Sequence, residues 1–403
     1  MKKKFAIVFA TVLFSMVIIL QIYQDKAFAE SSQPSHPKPL PSFGRKMLLM
    51  ADMVTGKAPA GTTEVIKISK YVPRIPKLKP AAGLSREVIG YYTEDWVGDM
   101  DSQRSVSSHG DMMSGVATFS FQLKADGNLA GSSPASIVSR FRNSGGKALA
   151  LVHNCSNGAF DRDLIDNVLN SPALRAKTVS NILTVVKDNG YNGVNIDFEN
   201  IPPADRDLFT RFISEVSSAL QKIGYITTIS IPAKTYDELT GWNGAFDYKE
   251  LGVIADRIML MTYDEHWFGG PPGPVASAGW VEQVISYAGS QIPANKLLLG
   301  IGMYGYDWEV NSGKAFTLPA GKTLGQAKRF GAVVNWDDTA QVPYFYYWAN
   351  GIKHVVWFES NNSAAFKLDM VNRYNLAGVA IWRLGFEDDG FWQTIAGKFS
   401  NSK

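Results

Sequence analysis

From residue 87 onward the chain repeats short apolar runs, at 88–92, 116–121, 148–153, 193–198, 225–231, 257–263, 296–304 and 378–382. Most are continuously apolar, as parallel strands buried on both faces require. Helical periodicity fills the gaps and is clearest in the middle of the chain. Ser171-Pro172 opens a helix carrying Val179, Ile182, Leu183 and Val186 on one stripe, and Gly190 closes it. A second helix aligns Phe209, Phe212, Ile213 and Val216 before Gly224. Eight such βα units predict an α/β protein with a (β/α)8 barrel.

One gap is too long. About seventy residues separate the seventh strand, ending near Trp308, from the eighth at Gly378, where a crossover needs only a couple of dozen. The spacing predicts a short helix at 323–330, then strands at 344–348 and 354–358 around the turn pair Asn350-Gly351. A small α+β lobe at 310–360 is expected, followed by the seventh barrel helix at 361–374.

The densest chemistry lies in the fourth run, GYNGVNIDFENI at 190–201. Side chains alternate along a strand, so Asn195, Asp197 and Glu199 share one face, and Val194, Ile196 and Phe198 the other. The polar face points inward at the carboxyl end of the strand, where barrel enzymes place their chemistry. Two carboxylates two residues apart in dry surroundings oppose each other's ionisation, so one holds a proton near neutral pH. An exposed acidic strand end is the ordinary alternative, but three polar residues on the face that should be core weigh against it.

Composition narrows the class. Of 403 residues, 45% are hydrophobic and 19% charged, the balance of a folded globular chain. The net charge is +3, and no basic run is interleaved with aromatics, so nucleic acid is not an expected partner. Cys155 is the single cysteine, which excludes an intrachain disulfide and thiolate metal clusters. His153 and His266 lack partners at metal-ligand spacing and read as structural or peripheral. Lys2, Lys3 and Lys4 precede an apolar run from Phe5 to Leu20, and Ala27-Phe28-Ala29 offers a cleavage site. Residues 1–29 are therefore expected to be an export signal, with an uncleaved anchor as the alternative. Residues 30–86 read as a proline-rich leader with a short apolar helix at 46–54.

In their order and spacing, these segments resemble glycoside hydrolase family 18, the chitinase-like family, over 87–399. NGVNIDFE at 192–199 is similar to the family's DxxDxDxE motif on the fourth strand, and LMTYDE at 260–265 to the sixth-strand motif ending in Tyr-Asp. GMYGYDW at 302–308, HVVWFE at 354–359, GVAIWRLG at 378–385 and GYYTEDW at 90–96 resemble the seventh strand, the return from the lobe, the eighth strand and the first. GVNIDFENIPP with a following Asp-Arg pair is closest to bacterial spore and peptidoglycan N-acetylglucosaminidases.

The resemblance implies a secreted or cell-wall- or spore-associated enzyme. It would act on an N-acetylglucosamine-containing polysaccharide, peptidoglycan or a chitin-like polymer, with no cofactor, no metal and no membrane contact after signal cleavage, as a monomer. It implies Glu199 as general acid and later base. Asp197 and Tyr263 would hold the substrate's acetamido group, Trp382 would floor the sugar, and Asn195 would support Asp197. Asp264 is open between touching substrate hydroxyls and capping a loop, and Tyr91 between pocket wall and core. Trp267, Trp308 and Trp357 are open between stacking on flanking sugars and packing. A chitinase, or a silent sugar-binding member of the family, is the alternative reading. Three departures stand out. Asn192 and Asn195 replace the usual Asp, Gly302 stands where Pro is common, and the third strand at 149–154 lacks Ser-x-Gly-Gly.

Overall fold

The computed structural model describes residues 84–400 apart from residue 157. The export signal, the helix at 46–54 and nearly all of the leader lie outside the described residues. Eight parallel strands close into a barrel: Glu87–Tyr92, Gly115–Leu123, Lys147–His153, Gly193–Asp197, Ile226–Pro232, Arg257–Met261, Leu297–Gly302 and Gly378–Trp382. They neighbour one another in chain order, and the first pairs with both the second and the eighth. All eight predicted strands are present.

The barrel sorts its side chains by strand parity. Val88, Val116, Ala148, Ala150, Val152, Val194 and Ile196 face the helix layer. Ile89, Tyr91, Ala117, Leu149, Leu151, Met259, Leu298 and Ala380 pack inside. At the amino-terminal rim Glu87 receives Arg257 at 2.8 and 3.1 Å and Lys147 at 3.3 Å. Burial would raise the Glu87 pKa, but the two cations outweigh it and hold the carboxyl below its ordinary value. The helix leading into the fourth strand, Pro172–Asp188, begins where Ser171 accepts the Leu174 N–H. Its successor, Arg206–Gln221, buries Phe209, Phe212, Ile213 and Val216, the stripe read from the sequence.

The insertion after the seventh strand is a five-stranded antiparallel sheet. Its order is Lys314–Pro319, Tyr304–Glu309, Ile352–Phe358, Val342–Ala349, Val334–Asp337, with helix Ala320–Arg329 on one side. The sheet begins earlier than the expected 310, because the apolar run does not continue as one barrel strand. The chain breaks at Met303, whose N–H bonds the Trp382 carbonyl at 2.7 Å, and Tyr304–Glu309 then pairs within the lobe. Asn350 and Gly351 have φ of 50° and 76°, the pair of positive values that a tight hairpin of this hand needs. Phe345, Tyr347, Val356, Phe358 and Leu318 form the lobe's own core. Among the described residues no helix is long and apolar enough to cross a membrane.

Candidate active site

The inward residues at the carboxyl ends of the strands form one continuous site. Asn195 and Asp197 point into the barrel from the fourth strand and are 0% and 5% exposed. Glu199 lies just past the strand end and is half-buried. Its backbone is gripped by Asn154, a fully buried residue at the end of the third strand. The Asn154 side chain accepts the Glu199 N–H at 2.9 Å and donates to the Glu199 carbonyl at 2.9 Å and to that of Asp161 at 3.1 Å. Asn200, at φ 55°, donates to the Phe160 carbonyl at 3.1 Å. The carboxylate is thus carried on a turn tied down on both sides. Trp242, from the loop after the fifth strand, hydrogen-bonds the Glu199 carboxylate and packs its edge on Phe160 at 6.4 Å.

Electrostatics favour the protonated pair. Burial pushes Asp197 up to about 7, partly opposed by Ser230. Glu199 is raised well above its ordinary value, first by burial, then by the Asp197 charge, with Asp264 adding to it and Trp242 opposing it. Two carboxyls close together in a dry site share protons as a unit. Ser230, which opposes the rise of Asp197, also meets Asn195. Ser230 Oγ donates to Asn195 Oδ1 at 3.0 Å and lies 2.8 Å from the Tyr91 hydroxyl. The single Ser230 proton serves one acceptor at a time. The Asn195 amide donates to Thr228 Oγ1 at 3.0 Å and Met259 Sδ at 3.3 Å, contacts that an ionised Asp could not make. Asn192 lies at the base of the strand, where its Oδ1 accepts the Ala148 N–H at 2.8 Å.

The floor is aromatic. Trp382, half-buried, meets Tyr91 edge-on at 5.3 Å and Phe119 at 5.8 Å, and its bond to Arg383 is cis. Tyr91 is only 3% exposed and its hydroxyl is engaged by Ser230 and Met259. It buttresses Trp382 from inside the barrel. His153 stacks on Phe119 at 4.2 Å, and burial holds its pKa down to about 4. The ring is neutral, Nδ1 accepting from the Cys155 N–H at 3.2 Å. The histidine is a wall of the floor rather than a peripheral residue. Burial and the nearby carboxylates push the Cys155 thiol up to about 11, which suits a bystander and not a nucleophile.

The far wall comes from the sixth strand and the lobe. Tyr263 is raised well above its ordinary pKa by burial and by Tyr91, Asp197, Glu199 and Asp264 nearby. Asp264, at φ 64°, accepts the hydroxyls of Tyr304 at 2.6 Å and Tyr306 at 2.7 Å. It therefore couples the barrel to the lobe rather than capping a loop, and burial lifts its pKa to about 6. Gly302 fits this junction because a Cβ there would come within 2.6 Å of the Tyr304 ring and 3.0 Å of Tyr263. Trp308 is buried, Trp357 is half-buried, and Trp267 packs edge-on against Phe268 at 5.0 Å. The Pro274 carbonyl can only accept, so His266 Nδ1 donates to it at 3.0 Å. Among the described residues no group of His, Cys, Asp and Glu could hold a metal.

Sequence reasoning did not find Asn154, Ser230, Trp242 or Phe119. The one signal was the missing Ser-x-Gly-Gly on the third strand, since Asn154 closes that segment.

The arrangement has relatives. The sequence model of glycosyl hydrolases family 18 matches residues 90–387. This chain belongs to glycoside hydrolase family 18. It is 32% identical to an uncharacterized glycosylase, YvbX, of Bacillus subtilis over 78% of this chain and 91% of that one. It is 29% identical to the cortical fragment-lytic enzyme of Bacillus anthracis, over 72% of this chain and 68% of that one. Among solved structures, a chitinase from Chromobacterium violaceum superposes with a TM-score of 0.73 at 31% identity, covering 78% of this chain and 98% of that one. The Bacillus cereus spore cortex-lytic enzyme SleL gives 0.73 at 29%, covering 79% and 75%. The family 18 barrel read from the sequence is present, and the chain is a glycoside hydrolase.

Proposed function

We propose that this family 18 chain is an exported, retaining β-N-acetylglucosaminidase that cleaves peptidoglycan, spore cortex included. The observation that carries the chemistry is the Asp197–Glu199 pair. Burial and mutual repulsion keep a proton on this pair near neutral pH, beside an aromatic floor. Glu199 gives that proton to the glycosidic oxygen as the bond to the anomeric carbon breaks. The acetamido carbonyl oxygen of the same sugar attacks that carbon, forming an oxazolinium ion. Asp197 accepts the acetamido N–H and balances the developing positive charge, while the Tyr263 hydroxyl bonds the acetamido oxygen. Water, losing a proton to Glu199, then opens the ring on the face that restores the β-anomer. Trp382 floors the sugar, Tyr91 backs it, Asn195 and Ser230 hold Asp197, and Asp264 faces the substrate's hydroxyls. The enzyme works as a monomer without cofactor.

The wall polymer is favoured by the cortical fragment-lytic and cortex-lytic relatives. The Chromobacterium chitinase, matched over nearly its whole length, favours chitin as a second reading. Mass spectrometry of products from purified peptidoglycan and from chitin oligomers separates the two. Fragments ending in reducing N-acetylglucosamine from peptidoglycan are expected. Release from chitin alone would overturn the wall assignment, and no release from either would overturn the activity.

A further inference from the structure

The loop between the fifth strand, Ile226–Pro232, and the helix Tyr248–Ile254 carries Trp242 to Glu199. Two cations knot it. Lys234, 3% exposed, donates to the carbonyls of Phe246 at 2.7 Å and Glu238 at 3.0 Å and pairs with Asp237 at 3.4 Å. Arg206 reaches in from the first turn of the helix Arg206–Gln221. It holds both Asp237 oxygens at 3.1 Å, Asp247 at 3.2 Å, and the carbonyls of Gly244 at 3.1 Å and Phe246 at 3.2 Å. Asn243, next to Trp242, donates to Glu238 Oε2 at 2.9 Å and to the Ala233 carbonyl at 3.3 Å. Gly244 packs so closely that a Cβ would lie 2.8 Å from the Leu239 backbone and 2.9 Å from Pro203. Arg206 belongs to the Asp-Arg pair that follows GVNIDFENIPP, so the segment that carries Glu199 also clamps this loop. Trp242 ends edge-on to Phe160 at 6.4 Å, with its N–H on the Glu199 carboxyl.

We propose that Trp242 sets which Glu199 oxygen carries the transferable proton, and that Arg206 and Lys234 are positioning residues acting through Trp242. The proposal rests on the glycosidase reading. An indole N–H donates and never accepts. The Glu199 oxygen it meets is therefore the unprotonated one, and the proton sits on the other. That proton passes to the glycosidic oxygen as the bond to the anomeric carbon breaks, the bonding pair leaving on the same oxygen. The indole N–H then stabilises the carboxylate left behind until water returns a proton to it. Burying the Lys234 ammonium costs solvation that an exposed loop would keep. What it secures, together with Arg206, is a donor already in place before substrate arrives.

The test compares two substrates of the full chain: soluble peptidoglycan fragments, whose leaving sugar needs a proton, and a dinitrophenyl N-acetylglucosaminide, whose leaving group departs without one. Trp242→Phe keeps a ring against Phe160 and removes the N–H. It should lower kcat/KM on the fragments by roughly 10–100-fold and on the dinitrophenyl substrate far less. The alkaline limb of the fragment profile should move to higher pH, because the lost donor favoured the ionised carboxylate. Asp197, Asp264, Tyr263, Tyr91 and Cys155, the titratable groups that face Glu199 from the other elements, are unchanged in this variant. Arg206→Lys cannot reach two carboxylates and two carbonyls at once. It should lower kcat/KM on the fragments in the wild-type background and add little in the Trp242→Phe chain. Lys234→Met gives an independent second cycle with the same expectation, and thermal melts check that each variant is folded. Wild-type rates on the fragments, equal losses on both substrates, or fully additive losses in the double variants overturn the proposal. A wild-type chain that cleaves neither substrate would instead overturn the glycosidase reading.

Discussion

Stability should depend on pH through Asp197 with a sign opposite to that of a salt-bridged carboxylate. Asp197 is pushed up to about 7 from an ordinary aspartate near 3.9, a difference worth about 4 kcal/mol between its protonation states. Below about pH 4 the folded and unfolded chains both carry the proton, and burial costs nothing electrostatic. Between about pH 4 and 7 only the folded chain keeps it, so unfolding releases a proton and stability falls as pH rises. Above 7 the cost is complete. Asp197→Asn removes the titration, so the gap between variant and wild type should move in the variant's favour by up to about 4 kcal/mol from pH 4 to pH 8. Glu199 adds to the same trend, because its pKa is raised partly by the Asp197 charge and relaxes when that charge goes. Urea unfolding at pH 4, 5, 6, 7 and 8, with equal m-values in the two chains, gives the difference directly. Any lost Ser230 contact shifts the whole curve and leaves the pH-dependent part clean. Parallel curves across the range would show that Asp197 is not held protonated, and the account of the pair would fall.

Glu199→Gln removes the transferable proton and should lower kcat by roughly 10²–10⁴-fold with the fold intact, checked by turnover of a fluorogenic N-acetylglucosaminide beside a circular dichroism spectrum. Asn154→Ala frees Glu199 N–H and two carbonyls, each costing about 1–3 kcal/mol where water cannot replace the partner. It should lower kcat by roughly 10–100-fold with little change in KM, because the acid is misplaced rather than lost, and paired Michaelis and thermal-melt measurements separate those effects. Proton NMR of the first product should show the β-anomer, and glucosides lacking the 2-acetamido group should be inert; an α-anomer appearing first would rule out participation by the acetamido oxygen.

The parts of the molecule that could be read from the sequence are those whose logic is local. Barrel strands are buried on both faces, so each is a continuous apolar run. Ser171, Gly190 and Gly224 mark helix ends by capping chemistry at fixed offsets, and the Asn350-Gly351 turn needs only two positive φ values. Asp197 and Glu199 were visible because alternation puts them on a face that should be core. What could not be read depends on contacts across the closed barrel. Ser230 meets Tyr91 across 139 residues of chain, and Asn154 reaches Glu199 across 45. Neither residue is unusual in its own segment. The lobe boundary was missed for a related reason: Tyr304–Glu309 continues the apolar run, and only pairing with 314–319 and 352–358 assigns it to the second sheet.

That misplaced boundary also explains how one strand can serve two parts of the molecule. Tyr304 and Tyr306 are buried in the lobe's sheet, yet their hydroxyls converge on Asp264 at the end of a barrel strand. Asp264 in turn raises Glu199 and Tyr263, so the charge state of Glu199 depends in part on the two lobe tyrosines that hold Asp264. Two phenolic donors on one buried carboxylate keep it ionised more readily than burial alone would. Removing either hydroxyl should therefore lift Asp264 further toward the neutral form and lessen its repulsion of Glu199. The lobe is thus tied to the barrel carboxylates by two hydroxyl protons. An insertion at this position can tune the Glu199 carboxyl without touching the fourth strand.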